Sequence, residues 1–374
     1  MKRKVMCVFG TRSETIKIVP IVRALSKSEF LTPLVVLTGQ HREILDQMIS
    51  CFQIEPACDL NLTRPEASLA EYTALLVTGL DDLFNEFTPD LTLVLGDTLT
   101  AMAAAWVAHF HKVPVAHVEA GLRTNDRYNP FAEEMYRVQT SQLATLHFAP
   151  TQQAVENLRR ESITEHVHLT GNTIVDALME AVEQTKTYPV DQKKCFDEVD
   201  FTKYRVLIAT MHRRENRGPE ASNIARALRQ IVDEFPDTQI LYPKHKNPVL
   251  YKVIESTLEG HPRIILIEPV EYLEFIWAMQ RCFFILTDSG GIQEEAPMLG
   301  KPVLVLRETT ERQEAVKSGN LELVGSNREK IVRSARKLLT DQQTYNQRIH
   351  SITAFGDGKA TKRIVRVLED YFGG

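Results

Sequence analysis

Short apolar runs alternate with amphipathic stretches along the whole chain. In the first half, Val5 to Phe9, Pro33 to Leu37, Leu91 to Leu95, Val113 to Val118, Leu146 to Ala149 and Val167 to Leu169 have the length and composition of buried strands. Helical spacing between them predicts helices from the first turn to about Leu25, through Phe52, over Ser68 to Phe87, over Ala101 to His109, from about Glu133, and over Ile174 to Lys186. Residues 187 to 203 are charged and aperiodic and read as an interdomain connection. The alternation then restarts. Strands are predicted at Arg205 to Ala209, Ile240 to Pro243, Ile264 to Ile267, Phe283 to Leu286, Val303 to Leu306 and Leu321 to Val324. Helices are predicted over Glu220 to Phe235, Pro248 to Glu259, Tyr272 to Arg281, Ile292 to Leu299, Arg328 to Leu339 and Lys359 to Tyr371.

Strands alternating with helices imply parallel sheets covered on both faces. The expected fold is α/β, with two Rossmann-like domains whose parallel sheets face a cleft. Ligands of open α/β sheets bind beyond the carboxyl ends of the strands. Arg12, Gln40, Asp97, Glu119, His212 and Ser289 all follow predicted strands, so they are expected to line that cleft. Neither the GxGxxG dinucleotide fingerprint nor a P-loop occurs.

Length and composition narrow the function further. A chain of 374 residues, 43% hydrophobic and 25% charged, suits a soluble protein of two or three domains. A net charge of −5 argues against non-specific nucleic-acid binding. The five cysteines are scattered, with no CxxC pair. That pattern suggests neither a disulfide framework nor a zinc site and fits a reducing cytoplasm. No apolar run approaches the length of a membrane span. The start, Lys2-Arg3-Lys4 followed by VMCVFG, reads as a first strand rather than a signal peptide.

The richest stretch is FFILTDSGGIQEEAPMLGK, 283 to 301. A strand runs into Asp288-Ser289-Gly290-Gly291 and then into a helix, which collects backbone N–H groups and the positive end of a helix dipole in one place. Such a turn suits a phosphate. Glu294 and Glu295, one turn in, are placed to accept hydrogen bonds from a ribose diol instead. The same pattern also fits a capped helix with no ligand. In the first half, Asp97 and Glu119 follow strands and Glu133 opens a helix. Such acids either cap helices or, converging from different loops, divide acid and base roles. Glu133 and Arg137 are also spaced as a surface ion pair. The basic candidates are Arg12, Lys17, His212, Arg213, Arg214 and Arg312; Lys17 reads equally as a solvated side chain, and Arg312 as a partner of Glu308 or Glu311. No metal site is expected, since His109 and His111 do not share a helix face.

These residues resemble a known family. GTRSETIK at 10 to 17, TGQHREILDQM at 38 to 48, GDT at 96 to 98, HVEAGLRT at 117 to 124, PFAEEMYR at 130 to 137, TGNTIVDAL at 170 to 178, HRREN at 212 to 216 and the stretch 286 to 316 are together similar to the non-hydrolysing UDP-N-acetylglucosamine 2-epimerases. The resemblance implies a glycosyltransferase-B-like fold. Its domains would be 1–187, completed by the C-terminal helix 358–374, and 188–357. It implies reversible conversion of UDP-GlcNAc to UDP-ManNAc through elimination and re-addition of UDP, without cofactor or metal, in a cytoplasmic homodimer supplying polysaccharide biosynthesis. A modified UDP-N-acetyl sugar, or a glycosyltransferase of the same architecture, is the alternative.

By motif match, Asp97, Glu119 and Glu133 take the catalytic acid positions, with Arg137 supporting them. His212 and Arg12 fall on the diphosphate, with main-chain donors at Ser289, Gly290 and Gly291. Glu295 falls on the ribose, Val270 and Phe275 beside the uracil, and Lys17 and Arg312 near the sugar–phosphate. Some positions depart from the family. Ser13 and Thr15 stand where Pro and Ala are usual, Ala132 and Tyr136 where Pro and Asn are usual, and Gln313 where Pro is usual. Many members bind a second UDP-GlcNAc as an activator, to which Gln40, His41 and His245 correspond. Glu43 and Glu66-Ala67 replace a Gln and an Arg-Gln pair there, so activation is expected to be altered or absent.

Overall fold

A computed structural model of the chain describes residues 2–39, 54–62, 68–187, 194–213, 216, 218–244, 248–350 and 354–374. The chain divides into two compact units. The first is Met1–Ala177 with Phe355–Gly374, and the second is Leu178–Ala354. The division falls inside a helix, Thr173–Thr185, rather than in the charged connection. Beyond that connection's undescribed part, Phe196 is buried against Trp277 of the second unit, with ring centroids 5.4 Å apart.

Along the first unit run β1 (Arg3–Phe9), α1 (Arg12–Lys27), β2 (Leu31–Leu37), β3 (Cys58–Asp59), α2 (Leu69–Phe87), β4 (Leu91–Leu95), α3 (Leu99–Phe110), β5 (Val115–Val118), α4 (Glu133–Leu143), β6 (Leu146–Ala149), α5 (Gln152–Arg160), β7 (Val167–Leu169) and α6 (Thr173–Thr185). Its seven strands are all parallel, in the order β3-β2-β1-β4-β5-β6-β7. Every residue from Val5 to Phe9 is fully buried. A central parallel strand is covered on both faces, which is why it reads as an unbroken apolar run. The small residues of α3 serve close packing: Ala101, Ala103, Ala104, Ala105 and Ala108 have no exposed surface.

The second unit holds β8 (Arg205–Thr210), α7 (Pro219–Glu234), β9 (Thr238–Pro243), α8 (Pro248–Leu258), β10 (Ile264–Ile267), α9 (Tyr272–Arg281), β11 (Phe284–Thr287), α10 (Gly290–Met298), β12 (Val303–Val305), α11 (Gln313–Lys317), β13 (Leu321–Leu323), α12 (Arg328–Thr340) and α13 (Gln342–Arg348). Its six strands are parallel, in the order β10-β9-β8-β11-β12-β13. The last helix, α14 (Ala360–Tyr371), belongs to the first unit. Its Ile364 and Leu368 are fully buried in one core cluster with Ile18, Val22 and Leu25 of α1.

Four elements escape the hydrophobic pattern. α5 buries only Ala154 and Leu158, α11 only Ala315, α13 only Thr344, and β3 is two residues long. Too few apolar positions mark them. Among the described residues no helix is long and apolar enough to cross a membrane.

Candidate functional site

In each sheet the strand order reverses once, between β1 and β4 and between β8 and β11. Connections leave such a switch point in opposite directions and open a crevice at the carboxyl ends of the two strands. The candidate residues gather at these two places.

In the first unit, the turn after β1 is built by a capping box. Thr11 Oγ1 accepts from the Glu14 amide, and Glu14 Oε2 accepts from the Thr11 amide at 2.9 Å, so two orphan N–H groups at the start of α1 are satisfied. Glu14 does more than cap. Its Oε2 also accepts from the Gly10 amide at 3.1 Å and the Thr11 hydroxyl at 2.8 Å, and its Oε1 accepts from the Thr98 hydroxyl at 2.6 Å. Burial pushes the Glu14 carboxyl up, and the bonds from Thr98, Thr11 and Gly10 partly offset this. One buried carboxylate thus ties the turn carrying Arg12 to the turn carrying Asp97.

The Asp97 turn is held from the other side by His117. Burial drives that imidazole down to about 3, so it is neutral, and its Nε2 lies 2.8 Å from the Gly96 carbonyl. A carbonyl only accepts, so Nε2 carries the proton. Asp97 is paired with Arg137, which is 2% exposed. Arg137 also lies 3.2 Å from Glu134, i and i+3 on α4. Glu134 accepts from the Thr124 and Asn125 amides, at 2.9 Å each, and so fixes the preceding loop. Arg137 is thus buried in a network with Asp97 and Glu134 rather than lying on the surface. Glu133 is the first residue of α4 and is partly exposed.

Glu119 leaves β5 with φ of 65°, a left-handed conformation that turns its side chain back toward α1. Its Oε2 is paired with Lys17 and accepts from Asn172 Nδ2 at 2.7 Å. Lys17 is 4% exposed. A buried ammonium requires a carboxylate partner, so the solvated reading of Lys17 is set aside.

In the second unit, Asp288 has no exposed surface. It accepts from the amides of His212, at 3.0 Å, and Arg213, at 2.9 Å, and from Asn216 Nδ2 at 2.9 Å, while His212 Nδ1 lies 3.1 Å away. Burial alone would raise this carboxyl. The pull of the His212 ring, its hydrogen bond, the Arg213 amide and Asn216 together outweigh burial and hold the carboxyl down at about 2. Asp288 therefore gathers the loop after β8 onto the turn after β11. It also fixes the His212 ring so that Nδ1 faces the carboxylate and Nε2 lies at the opposite edge. Gly290 and Gly291 open α10, where amides have no acceptor within the helix. The Ser289 amide donates to the Thr287 hydroxyl at 3.0 Å, and the Ser289 side chain is not used in capping.

Glu295, 5% exposed, accepts from the Tyr272 hydroxyl at 2.7 Å. Phe275, one turn on from Tyr272, is half-buried on α9, and Val270 is half-buried in the turn before that helix. Arg312 is buried between Glu294 and Glu311, so its pairing runs to Glu294 as well as Glu311. A Cβ on Gly290 would come within 3.0 Å of the Arg312 guanidinium, which these two carboxylates lock in place. Gly290→Ala is therefore expected to lower stability by roughly 1–3 kcal/mol, read as a lower urea midpoint with an unchanged slope.

The structure thus brings Arg12, Lys17, Asp97, Glu119, Glu133 and Arg137 to the strand ends and helix starts of the first unit. It brings His212, Ser289, Gly290, Gly291, Glu295 and Arg312 to those of the second. Gln40, His41 and His245, with Glu43, Glu66 and Ala67, lie outside the described residues, as does Arg214. Sequence reasoning did not assign Glu14, His117, Asn172, Tyr272, Asn216 or the organising role of Asp288. Glu14 carried a usable signal, since Thr11 with Glu three residues on is a capping-box pattern. No group of three or more metal-ligating side chains occurs among the described residues.

Comparison with known proteins bears on this arrangement. A family model described as UDP-N-acetylglucosamine 2-epimerase matches residues 23–369. The UDP-N-acetylglucosamine 2-epimerase of Bacillus subtilis is 45% identical over 373 residues, covering 100% of this chain and 96% of that protein. The crystal structure of the Neisseria meningitidis UDP-GlcNAc 2-epimerase, bound to UDP-GlcNAc, superposes with a TM-score of 0.95 at 43% identity, over 98% of this chain and 100% of that one. The Methanocaldococcus jannaschii UDP-GlcNAc 2-epimerase, in complex with UDP-GlcNAc and UDP, does so with a TM-score of 0.85 at 34% identity, over 98% and 99% of the two chains. The fold is accordingly glycosyltransferase-B-like. With its family model spanning nearly the whole sequence and its relatives matching end to end, the chain belongs to the UDP-N-acetylglucosamine 2-epimerase family.

Proposed function

We propose that this protein interconverts UDP-GlcNAc and UDP-ManNAc by eliminating and re-adding UDP. The observation that carries the reading is the division of chemistry between the two switch points. One holds carboxylates paired with buried cations, and the other a helix N-terminus with His212 beside it.

C2 of the sugar is not next to a carbonyl, so its proton is weakly acidic and direct inversion through a carbanion is unfavourable. Elimination avoids the carbanion. A carboxylate takes the C2 proton, the C2–H electrons form the C1–C2 double bond, and the C1–O bond breaks with its electrons passing to the diphosphate. The products are 2-acetamidoglucal and UDP, both retained. A diphosphate oxygen then re-forms the bond to C1 while an acid delivers a proton to C2 from the opposite face. Asp97, Glu119 and Glu133 supply the two proton transfers, and Arg137 holds Asp97. His212, Arg12 and the first-turn amides of α10 stabilise charge on the leaving diphosphate, with Ser289 at the same turn. Lys17 and Arg312 act through the carboxylates they pair with. Glu295, set by Tyr272, takes the ribose diol, and Phe275 and Val270 border the uracil. No cofactor or metal enters this scheme. The two structural units serve as its domains, acting in the cytoplasm as a homodimer.

Positional isotope exchange tests bond cleavage. UDP-GlcNAc carrying heavy oxygen in the bridge to C1 is expected to scramble that label into the non-bridging β-phosphate positions during turnover. Epimerised product with the label still wholly in the bridge would rule out elimination.

A further inference from the structure

Asn172 spends its side-chain amide in two directions. It precedes α6, and its Oδ1 accepts from the Ile174 amide at 3.0 Å, which caps that helix. The capping bond fixes the amide orientation, so only the donor end, Nδ2, faces Glu119 Oε2, at 2.7 Å. The residue is 3% exposed. Its backbone is held too: the Asn172 amide donates to the Phe355 carbonyl at 2.6 Å. Phe355 and Gly356 belong to the C-terminal segment that returns to the first unit, and Phe355 is 1% exposed. Gly171 and Gly356 pack backbone to backbone there. A Cβ on Gly356, where φ is 128°, would lie 3.2 Å from the Gly171 Cα and 3.4 Å from the Asn172 amide nitrogen.

We infer that Asn172 is a positioning residue for the Glu119 carboxylate, and that the returning segment around Phe355–Gly356 sets the position of Asn172. This rests on the reading of Glu119 as one of the proton-transfer carboxylates. A cap alone would need only Oδ1. The donor bond to Glu119 adds one thing: it fixes the carboxylate against the Lys17 ammonium. The returning segment is then more than a covering for α1, because its carbonyl holds the backbone from which the Asn172 side chain projects.

The test uses the full-length enzyme with UDP-GlcNAc as the probe and measures kcat and KM against pH. Asn172→Asp keeps the size and the helix cap but turns a carboxylate toward Glu119. Asn172→Ser keeps the cap and loses the donor. Thermal melting establishes that each variant is folded. Asn172→Asp is expected to lower kcat by on the order of a hundredfold with KM little changed. It is also expected to move the limb of the pH profile that reports Glu119 to higher pH, since a like charge disfavours ionisation. Asn172→Ser moves the limb the same way by less. Gly356→Ala lowers kcat through the backbone, whereas Gly373→Ala, where a Cβ meets nothing within 4 Å, leaves it unchanged. Wild-type kcat and pH profile in folded Asn172→Asp would overturn the inference. So would a lowered kcat with an unmoved pH profile, which would make Asn172 a cap and nothing more. Wild-type kcat in Gly356→Ala would remove the returning segment from it. Wild-type enzyme that left UDP-GlcNAc unchanged would instead bring down the functional reading beneath it.

Discussion

Asp97→Asn is expected to lower turnover by about a thousandfold while leaving the protein folded. The side chain keeps its size, and Asn still offers Arg137 an oxygen acceptor. Arg137 also retains Glu134, 3.2 Å away, so its buried charge keeps a partner. Glu14 and His117 continue to hold the turn through Thr98 and the Gly96 carbonyl. What is lost is the capacity to take or give a proton. The check is kcat for UDP-GlcNAc beside a thermal melt. Turnover near wild type would remove Asp97 from the proton transfers, and a collapsed melt would mean that its charge is structural.

The second large effect is expected at Asp288. Its carboxyl is held at about 2 against an ordinary 3.8, so the folded state favours the ionised form. The sign follows from this. The contribution is fully present above about 3.8, fades as pH falls through the window down to about 2, and is absent below it. Its size is roughly 2 kcal/mol. Asp288→Asn should therefore lose about that much stability near neutral pH, with the gap from wild type narrowing in acid. It should also raise KM for the UDP-sugar, because the amides of His212 and Arg213 and the His212 ring all take their position from this carboxylate. Urea titrations of both proteins at neutral and acid pH measure the first effect, and steady-state kinetics the second. An equal gap at every pH would assign the lost stability to shape rather than charge.

Much of the fold was legible because parallel strands buried on both faces announce themselves. β4, β6, β7, β10 and α9 begin and end where the apolar pattern places them. Elements that bury one or two side chains, such as α5 and α13, leave no such mark. The positions of the candidate site were legible for a related reason. Polar residues immediately after strands fall at the switch points, as Arg12, Asp97, His212 and Ser289 do. Their partners were not legible. Lys17 and Glu119 are far apart in sequence, as are Asn172 and Phe355, and nothing local links them. Glu134, buried on α4, pairs with Arg137 at i,i+3, and Arg137 also reaches Asp97 of a distant loop, a contact that helix spacing does not announce. Such pairings are products of tertiary packing.

The most direct measurement is an incubation of the purified protein with UDP-GlcNAc alone in D₂O, followed by NMR. UDP-ManNAc should accumulate to a constant ratio with UDP-GlcNAc, deuterium should enter at C2 in both, and no free sugar should form. Release of free ManNAc with UDP, or an unaltered C2 centre without deuterium, would contradict epimerisation by reversible elimination.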